Sequence, residues 1–143
     1  MKVTIKQVPK DIPEEITINC HALDESIVRI VKRLSEESEL VGYLNGAIYR
    51  INPNDVYYLE TTEGNTFAYL KEKVYEIRLS LNAVGENLSG NFLRCSKSMI
   101  VNLDKMIKVK PDLGGRMVAF LDNDEKVLIS RQYVKALKDR MGI

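Results

Sequence analysis

From residue 46 to its end the chain is a train of short apolar and β-branched segments, each closed within a few residues by turn-forming groups. Residues 47–51 and 55–61 are separated by Asn52-Pro53-Asn54, and Glu63-Gly64-Asn65 precedes 66–70 and 73–78. Residues 99–103 and 106–110 are apolar and β-branched. Gly114-Gly115 then divides 107–113 from 116–121, and Asp122-Asn123-Asp124 leads into 126–129. Such runs between turn signals are strands. Two stretches break the pattern with helical spacing: 80–88, carrying Leu81, Val84 and Leu88, and 131–140, with Tyr133, Val134 and Leu137 inward. The chain therefore reads as α+β and mostly β, many short strands with few short helices.

The first third reads differently. Residues 2–8 alternate, Pro9 and Pro13 punctuate the connecting stretch, and 15–20 place Ile16, Ile18 and Cys20 on one face. Both alternating segments predict half-buried strands. A helix is expected over 24–38, because Ile27, Val28, Val31 and Leu34 recur at helical spacing. Asp24 suits its N-cap, Glu25 its first turn, and Lys32 and Arg33 its C-terminal end. Residues 1–45 thus form an expected β-β-α extension, 46–143 the main domain, and 40–46 the boundary region.

Several function classes find no support. A chain of 143 residues can bury a core without disulfides or metal. No apolar run approaches the roughly 18 residues of a membrane span. The start, Met1 to Glu15, lacks the apolar stretch of a secretory signal, so the cytoplasm is the expected location. Cys20 and Cys95 are far apart and make no disulfide framework. The one histidine, His21, neighbours Cys20 on a predicted strand, where adjacent side chains face opposite ways and cannot chelate together. Packing at the core edge is the better reading of that pair. Nucleophile-elbow, phosphate-loop, dinucleotide and zinc-protease motifs are absent, and no catalytic residue or cofactor is assigned.

Charge says little in total and more in its distribution. Residues 1–45 carry six Lys/Arg against eight Asp/Glu, a net of −2, whereas 46–143 carry fifteen against twelve, a net of +3. Within 91–110, Arg94, Lys97, Lys105, Lys108 and Lys110 oppose only Asp104. Within 126–140, Lys126, Arg131, Lys135, Lys138 and Arg140 oppose only Asp139. Two basic clusters on a nearly neutral chain suggest a directed basic face; scattered solvated lysines are the rival reading.

The most informative stretch is Asn91-Phe92-Leu93-Arg94-Cys95-Ser96-Lys97-Ser98-Met99-Ile100-Val101-Asn102-Leu103, an apolar anchor, a polar cluster, then a buried strand. Thirty residues on, Ile129-Ser130-Arg131-Gln132-Tyr133 again puts a cation and short polar groups where a strand ends. Such junctions are exposed yet firmly placed. Together with Asp55-Val56-Tyr57-Tyr58-Leu59-Glu60 and Gly64-Asn65, in the same order, these segments resemble the LytTR family of bacterial DNA-binding domains over about residues 46–143.

The resemblance implies elongated, small antiparallel sheets that reach DNA with loops between strands. It implies contacts from Asn65, Lys97 and Arg131. Arginine can grip guanine with two hydrogen bonds, which makes Arg131, with Gln132 beside it, the base-reading candidate. Arg94, Lys97 and Ser98 suit phosphates. Each has a rival role: Arg131 as a cap or carboxylate partner, Asn65 as a turn former, Arg94 packed over Phe92, Ser98 as a cap or turn residue. Asn102 is read as a satisfier of buried backbone, and Tyr57, Tyr58, Tyr69 and Tyr75 as core. Cys95, between two cations, is either an oxidisable thiolate or, as favoured, an inert packing residue.

The first 45 residues are too few for a receiver domain of about 100 residues. The resemblance is therefore to a stand-alone regulator, acting as a homodimer on repeated operator sites, with a membrane-protein regulator as a further conceivable partner. The alternative is a protein–protein module whose basic face meets an acidic partner. RNA binding would want aromatics on an exposed sheet.

Overall fold

The computed structural model describes residues 1–34, 39–88 and 91–143. In chain order these contain α1 (Glu25–Leu34), β1 (Leu40–Leu44), β2 (Ala47–Ile51), β3 (Tyr58–Thr62), β4 (Asn65–Tyr69) and β5 (Val74–Ile77). Next come α2 (Leu81–Asn87), β6 (Phe92–Ser96), β7 (Met99–Asn102), β8 (Met106–Pro111), β9 (Met117–Leu121), β10 (Lys126–Ile129) and α3 (Val134–Met141). All strand pairs are antiparallel. A seven-stranded sheet runs β2-β1-β5-β4-β3-β7-β6, and a three-stranded sheet runs β10-β9-β8. The expected set of small sheets is thus one large sheet and one small one.

The two sheets with α2 and α3 enclose two cores, and β7 explains why. Ile100 pairs with Leu59 and packs with Leu81 and Val84 of α2 on one face. Val101, next in sequence, turns to the other face and packs with Leu93, Ala119, Leu121, Ile129 and Leu137. A strand buried on both faces loses the polar half of its alternation, which is why 99–103 is a near-continuous apolar run. The small sheet and α3 therefore cover one side of the large sheet, and α2 covers the other. Asn102 ends β7. It is buried, its Nδ2 donates to the Val56 carbonyl at 2.8 Å, and its Oδ1 accepts from the Asp104 backbone at 3.0 Å. It satisfies buried backbone, as its place in an apolar run required.

Several expectations need correction. Residues 2–8 and 15–20 hold no strand. Alternation is necessary for a strand but not sufficient: its backbone needs a hydrogen-bonding neighbour. Among the described residues no strand pairs with either segment, and Val3, Ile5 and Ile16 are exposed. Cys20 and His21 are likewise exposed, not packed at a core edge. The β-β-α extension is reduced to its helix. That helix starts as expected: Asp24 Oδ1 accepts from the Ile27 backbone at 3.0 Å and from Ser26 Oγ at 2.7 Å. Its expected end at residue 38 lies outside the described residues.

Two strands went unpredicted. β1 lies before residue 46, in the stretch assigned to the extension, yet pairs along its length with β2. β6 occupies the segment read as an apolar anchor. The strand expected over 55–61 begins only at Tyr58, because Asn52 accepts from the Asn54 backbone and closes a single helical turn over Pro53–Asp55.

Candidate DNA interface

Three of the segments singled out in the sequence meet at one end of the large sheet. The first is the tip between β3 and β4. Glu63 and Gly64 both take positive φ, 52° and 79°, and Thr62 faces Asn65 across the ladder. Two such residues match the twist of the flanking strands. Asn65 is exposed as the first residue of β4.

The second segment is the tip between β6 and β7, the exposed pair Lys97-Ser98. Ser96 Oγ accepts from the Ser98 backbone at 3.2 Å, and the ladder slips by one residue between Arg94 and Ser96. Arg94 holds this tip. Its Nε donates to the Ser96 carbonyl at 2.7 Å, one terminal nitrogen to Asn82 Oδ1 of α2 at 2.7 Å, and the other to the Lys97 carbonyl. Arg94 therefore ties the loop that carries Lys97 to α2, and Ser98 stands in the turn.

The third segment follows β10. The Ser130 backbone donates to the Cys95 carbonyl at 2.8 Å, and the Tyr133 backbone donates to Ser130 at 2.8 Å. This folds Arg131–Tyr133 into a single turn leading into α3. Arg131 and Gln132 are exposed. The Arg131 stem lies against Gly115, where an added Cβ would stand 3.3 Å from Cδ. Among the described residues no carboxylate pairs with Arg131.

Backbone hydrogen bonds join the three. Thr61, near the end of β3, donates to the Ser98 carbonyl at 2.8 Å, so the first two tips are neighbours. Ser130 is tied to Cys95, two residues before Lys97. The fold thus brings together the segments of Asn65, Lys97, Ser98, Arg131 and Gln132, and uses Arg94 beneath them as a brace. Sequence reading missed Asn82, Thr61 and Gly115. None stands in a motif, and each acts only through a partner that folding supplies.

Cys95 sits under this end, fully buried, and burial pushes its thiol up to about 12. The nearby Arg94 opposes that shift without reversing it. A thiolate is therefore disfavoured, which supports the packing role over a redox one. The tyrosines are also structural. Tyr57 donates to Asp122 Oδ1 at 2.5 Å, tying the start of β3 to the β9–β10 turn. Tyr58 and Tyr69 stack at 4.5 Å within the large sheet. Among the described residues no helix is long and apolar enough to cross a membrane.

The arrangement of antiparallel sheets has a counterpart among solved structures. The LytTr DNA-binding domain of a methyl-accepting/DNA response regulator from Bacillus cereus superposes with a TM-score of 0.70. It covers 75% of this chain and 99% of that one at 24% identity, and so shares the fold. The chain belongs to the LytTR family: the model for the LytTr DNA-binding domain matches residues 46–142. Relatives from Staphylococcus aureus are described as HTH-type transcriptional regulators. One, from strain NCTC 8325, is 30% identical over 119 residues, 83% of this chain and 81% of the relative. Another, from strain MSSA476, is 28% identical over 146 residues, 100% of this chain and 99% of the relative. Among the described residues of this chain no two α-helices are consecutive.

Proposed function

We propose that this chain regulates transcription by binding duplex DNA sequence-specifically through the loops at one end of its large sheet. Membership of a DNA-binding family and the regulator names of its relatives support the general activity. The observation that carries the loop reading is the pair of backbone bonds, Thr61 to Ser98 and Ser130 to Cys95, that gather three exposed polar tips. In this reading Arg131 and Gln132 reach base edges, Asn65 reads or shapes its tip, and Lys97 and Ser98 meet phosphates. Residues 46–143 carry the contacts, and two copies occupy repeated sites.

The test is a binding series on a duplex selected from a random library. Arg131→Ala is expected to weaken binding by about 1–3 kcal/mol and to relax base preference. Lys97→Ala is expected to lower affinity on all duplexes and to reduce its dependence on salt. Wild-type binding by both variants would place the contacts elsewhere.

A further inference from the structure

The small sheet has a second face that the cores do not use. Met117, Ala119, Leu121, Val127 and Ile129 turn inward. By alternation Val118, Phe120, Lys126 and Leu128 turn outward. Lys108 faces Phe120 across one ladder and Lys126 faces it across the other, while Lys110 faces Val118. The three ammonium groups stand 4.7, 5.4 and 5.6 Å from the Phe120 ring centre, for Lys108, Lys126 and Lys110 respectively. An aromatic face attracts cations, which helps three like charges share one small area. Among the described residues no carboxylate forms an ion pair with any of them. The strands themselves carry no other charge; of the flanking ones, Asp122 accepts from Tyr57, and Asp112 and Arg116 pair with each other at 3.6 Å. Asp124 and Glu125 stand exposed in the turn before Lys126.

We propose that this outer face is a second DNA contact, one that grips phosphates flanking the recognised bases without reading sequence. The proposal rests on the function proposed above. Charge complementarity points to a polyanion. Continuity with the loop cluster favours DNA over an acidic protein. β10 runs from Lys126 through Leu128 and Ile129 directly into Ser130 and Arg131. Lys110 stands on the rung of Leu128, just before that exit, and Lys108 and Lys126 stand one same-face step further back. At about 3.3 Å per residue the cluster extends roughly 10 Å back from the end of β10. A duplex held at Arg131 and longer than its recognised site continues along such a track. Lysines on flexible stems suit phosphates as point charges.

The experiment compares wild type with K108Q/K110Q/K126Q on two duplexes, the selected site alone and the same site with long flanks, across a salt series. Each phosphate neutralised adds about 0.9 to the slope of log affinity against log salt, so the triple variant is expected to lose roughly 2–3 units of slope on the flanked duplex. On the trimmed duplex it is expected to bind as wild type does, with unchanged base preference. Arginines at the three positions should restore the slope. An unchanged slope on the flanked duplex overturns the inference, and would leave the face for an acidic protein surface. The two proposals fail separately. If Arg131→Ala relaxes preference while the lysine variant changes nothing, only this one falls. If no base preference exists yet the lysines set the salt slope, only the loop reading falls.

Discussion

Arg94 shows how far a residue's role can depart from its type. A cation in a basic segment suggests a phosphate ligand, and three of its bonds also run inward, to Asn82 and to the carbonyls of Ser96 and Lys97. Arg94→Lys keeps the charge and loses the planar fork. It is expected to weaken DNA binding nearly as much as Arg94→Ala, which equilibrium binding of the two variants checks. Asn102 has a purely structural task. Asn102→Leu would strand the buried Val56 carbonyl and open the turn at Asp104, costing about 1–3 kcal/mol in denaturant unfolding. Cys95 is expected to resist a thiol reagent in the native state while the exposed Cys20 reacts, and to react only on unfolding.

Tyr57 gives a pH dependence. Its hydrogen bond to Asp122 and its burial raise its hydroxyl from the usual 10 to about 12. The folded state therefore favours the neutral phenol. Its contribution is complete below pH 10 and is lost as pH rises from 10 towards 12. Tyr57→Phe should flatten the decline of stability across that window.

At the level of elements, legibility followed the source of each element's order. β4, β5, β8, β9 and β10 are local patterns bounded by turn residues, and sequence alone finds them. β1 and β6 owe their form to neighbours. β1 carries Gly42 in its middle, a residue that weakens strands. There an added Cβ would stand 2.3 Å from Ile51 Cδ1 and 2.8 Å from Tyr75 Cβ. Only a glycine leaves room to seat Ile51 and Tyr75 in the core, and Gly42→Ala should destabilise by about 1–3 kcal/mol through overpacking. Residues 2–8 and 15–20 fail in the opposite direction, with a strand pattern and no strand to pair with. The candidate site was legible as three segments, because each joins an apolar strand to polar turn residues. Its assembly was not, because backbone bonds such as Ser130 to Cys95 span 35 positions and have no sequence signature.

At the scale of the molecule, the two cores hold the loop cluster at one end of the large sheet and the lysine face along the small one. Among the described residues, neither core cluster includes one from 1–34, although Ile27 of α1 is itself buried. The most direct test is selection of duplexes from a random library by the full chain, followed by the same selection with Arg131→Ala. Wild type is expected to enrich a defined motif that Arg131→Ala blurs at one or two base pairs while both proteins melt alike. A library that emerges from wild-type selection with no preferred sequence would contradict base reading by these loops.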